Sequence, residues 1–212
     1  MTRRILFVCT GNICRSPTAE GVLRHMAAAR GLADRIEVAS AGLEDWHVGA
    51  PSDARSIDHA LRRGVDISAQ RARQVTRRDF ERFDWVIAMD EGHHERLRRM
   101  CPPQHSHTLR RAADFSERVP ADGVPDPYYG DAGAFERVLD LVESVCEGML
   151  IEVRGQGEWR GRECESAQVG CRPQAAVGRR LAGGSFVPIA GVNLQPTDAS
   201  TNRCVDSWWS PS

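Results

Sequence analysis

Ile5-Leu6-Phe7-Val8-Cys9-Thr10-Gly11-Asn12-Ile13-Cys14-Arg15-Ser16-Pro17 is the stretch whose reading decides the fold of this chain. The apolar run Ile5 to Val8 reads as a buried strand of a parallel sheet. Ser16 suits a helix N-cap and Pro17 the first helical position. The loop between them therefore joins a strand's carboxyl end to a helix's amino end. Backbone N–H groups converge there, and the helix dipole favours negative charge. Cys9 and Arg15 stand at the two ends of that loop. Helix termini and fixed cations stabilise a thiolate, and an arginine fork grips two oxygens of a phosphate. A nucleophile at the bottom of an anion bowl points to attack on phosphorus.

Two plainer readings compete. A cysteine after a strand is often an inert small hydrophobe, and Cys9 with Cys14 could ligate a metal. Arg15 beside Cys14 argues against a cation, and no second Cys or His pair follows at zinc-finger spacing. The loop is not a nucleotide P-loop either, which would end in Gly-Lys-Ser/Thr.

Outward from the loop, strands and helices alternate. A first helix is predicted from about Pro17 to Arg30, with Val22, Leu23, Met26 and Ala27 inward and Gly31 as its stop. Ile36 to Ser40 reads as a second strand, followed by an Ala41-Gly42 turn and a loop carrying Trp46 and His47. Pro51-Ser52-Asp53 opens a helix with Ile57, Ala60 and Leu61 inward, ending at Gly64. A short helix is expected over 76–82, capped by Thr76. Trp85 to Met89 is the third strand, and Asp90 starts a helix to about Met100. A weak fourth strand is placed near His107-Thr108-Leu109. The last helix is predicted over Ala134 to Glu152, where Phe135, Val138, Leu139, Val142, Val145, Cys146 and Met149 recur at helical spacing. This pattern predicts a three-layer α/β/α fold around a four-stranded parallel sheet, with a phosphate-binding loop after strand 1. Ligands bind such sheets beyond the strands' carboxyl ends, where Cys9, Ser40 and Met89-Asp90 all fall.

Composition narrows the function. The 212 residues carry a net charge of -1, which points away from nucleic acid and from acidic membrane surfaces. No apolar run approaches the roughly 18 residues of a membrane span, and the amino terminus lacks a signal-peptide core. Seven cysteines without such a signal suit a reducing compartment, so the cytoplasm is expected, with signal-less export left open. Every basic residue is arginine, a coding bias and not a binding site.

Phosphomonoester cleavage needs a proton for the leaving oxygen. Asp126, on a Pro-stiffened loop, is the candidate donor. Tyr128 and Tyr129 beside it could wall a pocket for an aromatic leaving group. A turn-forming Asp-Pro with two exposed tyrosines is the plain alternative.

Cys9-Thr10-Gly11-Asn12-Ile13-Cys14-Arg15-Ser16-Pro17 together with Asp126-Pro127-Tyr128-Tyr129-Gly130 resembles the low-molecular-weight protein tyrosine phosphatases, most nearly their actinobacterial members. Ser40-Ala41-Gly42, Trp46-His47-Val48-Gly49, Ala72-Arg73-Gln74 and Met89-Asp90 fit as well. The resemblance spans about residues 3–153. It implies Cys9 as the nucleophile forming a phosphocysteine, Arg15 as the phosphate clamp, and Asp126 as general acid and then base. Thr10, Gly11, Asn12, Ile13, Cys14 and Ser16 belong to the phosphate-binding loop, Ser16 steadying the leaving thiolate. Asn12 with Ser40 supports the loop, and Trp46, Tyr128 and Tyr129 line the aryl pocket. A second cysteine at Cys14 implies a redox switch with Cys9. The resemblance implies no metal or other cofactor. The expected partners are phosphotyrosine proteins, met by a monomer. The family's histidine before Ala72-Arg73-Gln74 is replaced by Gln70. His25, His93 and His94 read as helix-surface residues.

Relatives of the same fold set the alternatives. Arsenate reductases need resolving cysteines on a mobile segment, and between Cys14 and Cys146 only Cys101 is present. Arginine phosphatases carry Thr where this chain has Ile13, and lack the second tyrosine. A phosphate-binding module without activity would have lost Cys9, Arg15 or Asp126. From Arg154 onward the periodicity stops in a Gly- and Arg-rich stretch. Residues 154–212 are therefore expected to be a disordered or aberrant extension of a domain covering 1–153. Cys164 and Cys171 there lack the histidines of a metal site.

Overall fold

The computed structural model describes residues 2–158. Four strands, β1 (Arg3–Cys9), β2 (Ile36–Gly42), β3 (Trp85–Ala88) and β4 (Leu109–Arg111), form one sheet in the order β2-β1-β3-β4. All three pairings are parallel. The helices are α1 (Arg15–Ala29), α2 (Ala54–Arg62), α3 (Asp79–Arg82), α4 (Glu91–Met100) and α5 (Ala132–Glu158). Parallel neighbours cannot be joined by tight hairpins, so each crossover carries a helix over a face of the sheet.

Residues alternate sides along a strand, and β1 serves both layers. Ile5, Phe7 and Cys9 pack with Val22 and Leu23 of α1 and with Val138, Leu139, Val142 and Met149 of α5. Leu6 and Val8 pack on the other side with Phe80 and Phe83, near α3, and with Leu97 of α4. Ile5 to Val8 are completely buried, which is the double coverage expected of that run. The sheet edge where Cys9 pairs with Gly42 and Val8 with Ala88 is the edge predicted to carry the site.

Local readings differ in several places; Ala41-Gly42, expected to turn away, instead pair with Val8 and Cys9 as the end of β2. Helix α5 continues past Glu152 to Glu158, and Val153, three residues after Leu150, adds one more buried position to its stripe. Strand β4 begins at Leu109, since Pro103–Thr108 coil as a 3-10 helix in which Thr108 Oγ1 donates to the His105 carbonyl at 2.8 Å. Helix α3 begins only at Asp79, whose carboxylate accepts the Thr76 backbone N–H at 2.7 Å. Leu61 points outward, 49 % exposed, and His59 takes the buried position, stacked on Phe135 and hydrogen-bonded to Glu136. His93, read as a surface residue, is buried.

Among the described residues no helix is long and apolar enough to cross a membrane. The expected extension lies, from residue 159 on, outside the described residues, as do Cys164 and Cys171.

Close packing of α5 gives one stability prediction. A Cβ on Gly148 would lie 2.0 Å from the Phe115 carbonyl oxygen, a backbone atom that cannot swing aside. Gly148→Ala should therefore destabilise the protein by about 1–3 kcal/mol despite alanine's better helix propensity. Urea unfolding measures it; an unchanged midpoint would show that α5 can shift freely.

Candidate active site

Strand β1 ends at Cys9 and α1 begins at Arg15, so the connecting loop is short and tightly bent. Cys14 occupies the N-cap position with no side-chain cap. Ser16 is therefore not the cap its sequence position suggested. Its hydroxyl turns beneath the loop instead, 3.0 Å from Cys9 Sγ and 3.2 Å from the Ala41 carbonyl oxygen. Ser16 and Cys9 are both buried.

Asn12 takes a left-handed conformation, φ 56, unusual for a residue other than glycine. Its side chain holds it there. Nδ2 donates to Ser16 Oγ at 2.9 Å and to Ser40 Oγ at 2.8 Å, and Oδ1 accepts from the Arg73 N–H at 3.0 Å. Ser40 Oγ in turn donates to Glu20 at 2.6 Å. The end of β2 passes directly behind the loop. A Cβ on Gly42 would lie 2.9 Å from the Thr10 carbonyl oxygen, so only glycine permits the approach.

Arg15 is 4 % exposed, and both of its terminal nitrogens are engaged. Nη1 donates to Asp90 Oδ2 at 2.7 Å and to the Val124 carbonyl at 3.2 Å. Nη2 donates to Asp126 Oδ2 at 2.8 Å and reaches Thr10 Oγ1 at 3.4 Å. Burial opposes ionisation of Asp90, but the His93 ring close beside it, the His93 backbone N–H and the Arg15 charge outweigh it and hold the carboxyl at about 2. A fixed anion behind a buried guanidinium satisfies the charge that burial would otherwise make costly. Burial above all, with a smaller push from the nearby Asp53, Cys9 and Asp126, raises the Cys14 thiol to about 12, against a hydrogen bond with Ser56.

The acid loop is tied from the other side. Asp126 Oδ1 accepts the Tyr128 N–H at 3.1 Å. Arg55, in the first turn of α2, donates to the Tyr128 carbonyl at 3.0 Å and lies 5.5 Å from that ring. Its fork also meets Asp53 through Nε and Nη2, at 3.0 and 2.8 Å, and the Asp53 N–H donates to the Ile13 carbonyl. Arg55 thus links the loop bearing Asp126 to the loop bearing Cys9.

Cys9, Thr10, Gly11, Ile13, Cys14, Arg15, Trp46, His47, Asp126, Tyr128 and Tyr129 line one cavity of about 280 Å³. Tyr128 and Tyr129 meet edge to face at 4.9 Å, and Trp46 and Tyr129 stand exposed at the rim. Of the residues expected at the site, Asn12, Ser16 and Ser40 do not line this cavity; they lie beneath it. Gln70, where the resemblance expects histidine, buries both amide atoms without a hydrogen bond. Among the described residues no group of three or more His, Cys, Asp or Glu could hold a metal ion.

Sequence reasoning missed Arg55 and His93. The Asp53-x-Arg55 spacing at a helix start hints at a local pair, but nothing local signals the reach to Tyr128. His93 sits in an otherwise charged helix, and only its position three residues after the N-cap Asp90 suggested anything inward.

A parallel α/β sheet ends here in a buried thiol and a clamped arginine that face one aromatic-rimmed cavity, an arrangement with the chemistry of an anion-binding enzyme site. Comparison with known proteins supplies the family. The family profile described as low molecular weight phosphotyrosine protein phosphatase matches residues 4–158. A Streptomyces coelicolor low molecular weight protein-tyrosine-phosphatase is 42% identical over 167 residues, covering 76% of this chain and 99% of that protein. The Bacillus subtilis phosphatase YfkJ is 39% identical over 150 residues, 71% of this chain and 95% of that protein. Among solved structures, a protein tyrosine phosphatase from Entamoeba histolytica superimposes with a TM-score of 0.70 at 35% identity, covering 74% of this chain and 99% of that one. This chain belongs to the low molecular weight protein-tyrosine-phosphatase family, and it is a phosphatase acting on phosphotyrosine proteins.

Proposed function

We propose that the chain hydrolyses phosphotyrosine, and small aryl phosphates, through a phosphocysteine intermediate on Cys9. The observation that carries this reading is that Cys9, Arg15 and Asp126 line the same cavity beneath three aromatic side chains. The phosphate takes Arg15 Nη2 in place of Asp126, so the carboxyl is freed to carry a proton. The Cys9 thiolate attacks phosphorus, the S–P bond forms and the P–O bond breaks. Asp126 delivers its proton to the departing phenol oxygen. Water then attacks the phosphocysteine, Asp126 takes its proton, and inorganic phosphate leaves with the thiolate restored. Ser16, 3.0 Å from Sγ, donates to that thiolate. Ile13 and Tyr129 in the lining favour an aryl ring over a guanidinium substrate.

Rapid mixing with a phosphotyrosyl peptide, followed by acid quench, tests the scheme. Stoichiometric phosphorus on Cys9 is expected, and little turnover of the matched phosphoseryl peptide. Equal turnover of both peptides would overturn the aryl assignment.

We further propose that the enzyme works as a monomer in the cytoplasm. The free state of Cys9, Cys14, Cys101 and Cys146 suits a reducing compartment. Peroxide there would convert Cys9 to a sulfenic acid, which the Cys14 thiol condenses with, releasing water and forming a disulfide. Burial keeps Cys14 protonated, which slows this capture, since the thiolate is the attacking form. After peroxide and then dithiothreitol, wild type should regain more activity than Cys14→Ser. Equal recovery would leave Cys14 a packing role only.

A further inference from the structure

His93 is 5 % exposed, in the first turn of α4 beneath the phosphate loop. Its Nε2 lies 2.9 Å from Thr10 Oγ1, and its Nδ1 lies 2.9 Å from Asp90 Oδ1. Asp90 Oδ2 accepts from Arg15 Nη1 at 2.7 Å, and Arg15 Nη2 reaches Thr10 Oγ1 at 3.4 Å. Arg15, Asp90, His93 and Thr10 therefore close a ring of polar side chains around the back of the cavity.

The inventory of donors gives the ring a direction. Asp90 is ionised and can only accept. Nδ1 makes no hydrogen bond to Oδ1, which already accepts the His93 backbone N–H at 2.7 Å, but it lies 2.9 Å from that carboxylate oxygen, where a bare lone pair would be repelled, so the proton is assigned to Nδ1. In the neutral imidazole Nε2 is then an acceptor, and the Thr10 hydroxyl proton points to it. The Thr10 lone pairs are left facing Arg15.

Packing does not require an imidazole at this place. Capping of α4 is accomplished by the Asp90 side chain with the backbone of residue 93, and Leu97 already anchors the helix in the core. What the imidazole ring alone adds is the crossing from α4 to Thr10, next to the nucleophile. Of the carboxylates on Arg15, Asp126 sits on the acid loop and must move during turnover, so the Asp90 side is the fixed one.

We propose that His93 is a positioning residue for the phosphatase reaction, holding Thr10 and Asp90 so that the Arg15 fork stands aligned for phosphate. This rests on the proposed role of Arg15. The full chain is assayed with p-nitrophenyl phosphate as substrate, inorganic phosphate as competitive inhibitor, and a melting curve for each variant. His93→Phe keeps the ring volume and removes both contacts. It should lower kcat and raise the phosphate inhibition constant, each about tenfold, the scale of one buried hydrogen bond. Thr10→Val cuts the same link from the loop side and should do likewise, with the double variant no worse than either single one. His93→Gln, whose amide reaches the place of Nε2, should recover most of the loss at an unchanged melting temperature.

Phosphate inhibition within twofold of wild type in His93→Phe, or additive losses in the double variant, would overturn the proposal. Should His93→Phe fail to fold, an unaltered inhibition constant in Thr10→Val overturns it equally. Arg15→Lys separates the two readings. If that variant is inactive while His93→Phe is normal, only the positioning role falls; if it is fully active, the phosphate clamp itself falls.

Discussion

Cys9→Ser protein should bind aryl phosphates and fail to turn them over. The hydroxyl is not ionised near neutrality and is a poor nucleophile without an adjacent base. The hydrogen-bond neighbour of the sulfur it would replace is the Ser16 hydroxyl at 3.0 Å, and an alcohol is no base. Loss of a covalent nucleophile removes the whole pathway, so a decrease of about 10⁴-fold or more is expected. Binding should survive, because the loop N–H groups and the Arg15 fork are untouched. The loop is held by Asn12, whose three hydrogen bonds involve Ser16, Ser40 and Arg73 but not the sulfur. Steady-state turnover of p-nitrophenyl phosphate and calorimetric binding of a phosphotyrosyl peptide measure the two halves. Full activity would remove Cys9 from the mechanism. A binding-competent, inactive variant would also trap physiological phosphoproteins.

Asp126→Asn should slow phosphotyrosine turnover about 10²–10⁴-fold, the usual worth of a general acid. Asparagine is nearly isosteric, and its amide oxygen can still accept from Tyr128 N–H, so the loop should keep its place. It cannot deliver a proton to the phenol oxygen. An aryl phosphate whose leaving group departs as a stable anion should lose much less in single-turnover formation of the phosphocysteine. Equal losses with both leaving groups would mean that Asp126 shapes the site and transfers no proton. A second effect runs opposite. Asp126 competes with phosphate for Arg15 Nη2 at 2.8 Å, so phosphate inhibition should strengthen in Asp126→Asn.

Legibility in the sequence followed distance along the chain. The strand, loop and helix from Ile5 to Pro17 are contiguous, and their meaning survives in one dimension: an apolar run, a glycine, a Ser-Pro helix start. Helix α5 was legible because its apolar residues repeat with the helical period over many turns. Asp126 is 111 residues from Arg15, and spacing alone left it open. A resemblance carried by both motifs nominated it, and the geometry brings it to Arg15. Ser16 shows the opposite case: its residue type and position fit a helix cap, yet the helix starts two residues before the expected Pro17, at Arg15, and the hydroxyl lies against the thiol.

The sequence by itself determined the order of elements, the parallel sheet and the placing of a thiol and a guanidinium at one strand end, because periodicity and local turn chemistry are properties of neighbouring residues. Tertiary structure alone decided which polar side chains are buried and with whom. Arg55 and His93 look in sequence like the solvated residues around them, since a helix's charged positions carry no mark of what faces them. Arg55 stays exposed yet donates to the Tyr128 carbonyl, and His93 is buried where its Nε2 meets Thr10 Oγ1, which supplies the hydrogen bond that burial requires. Those partners come from other segments, so their meeting depends on how α2 and α4 pack against the sheet, and the alignment of Arg15 with the cavity depends on it in turn.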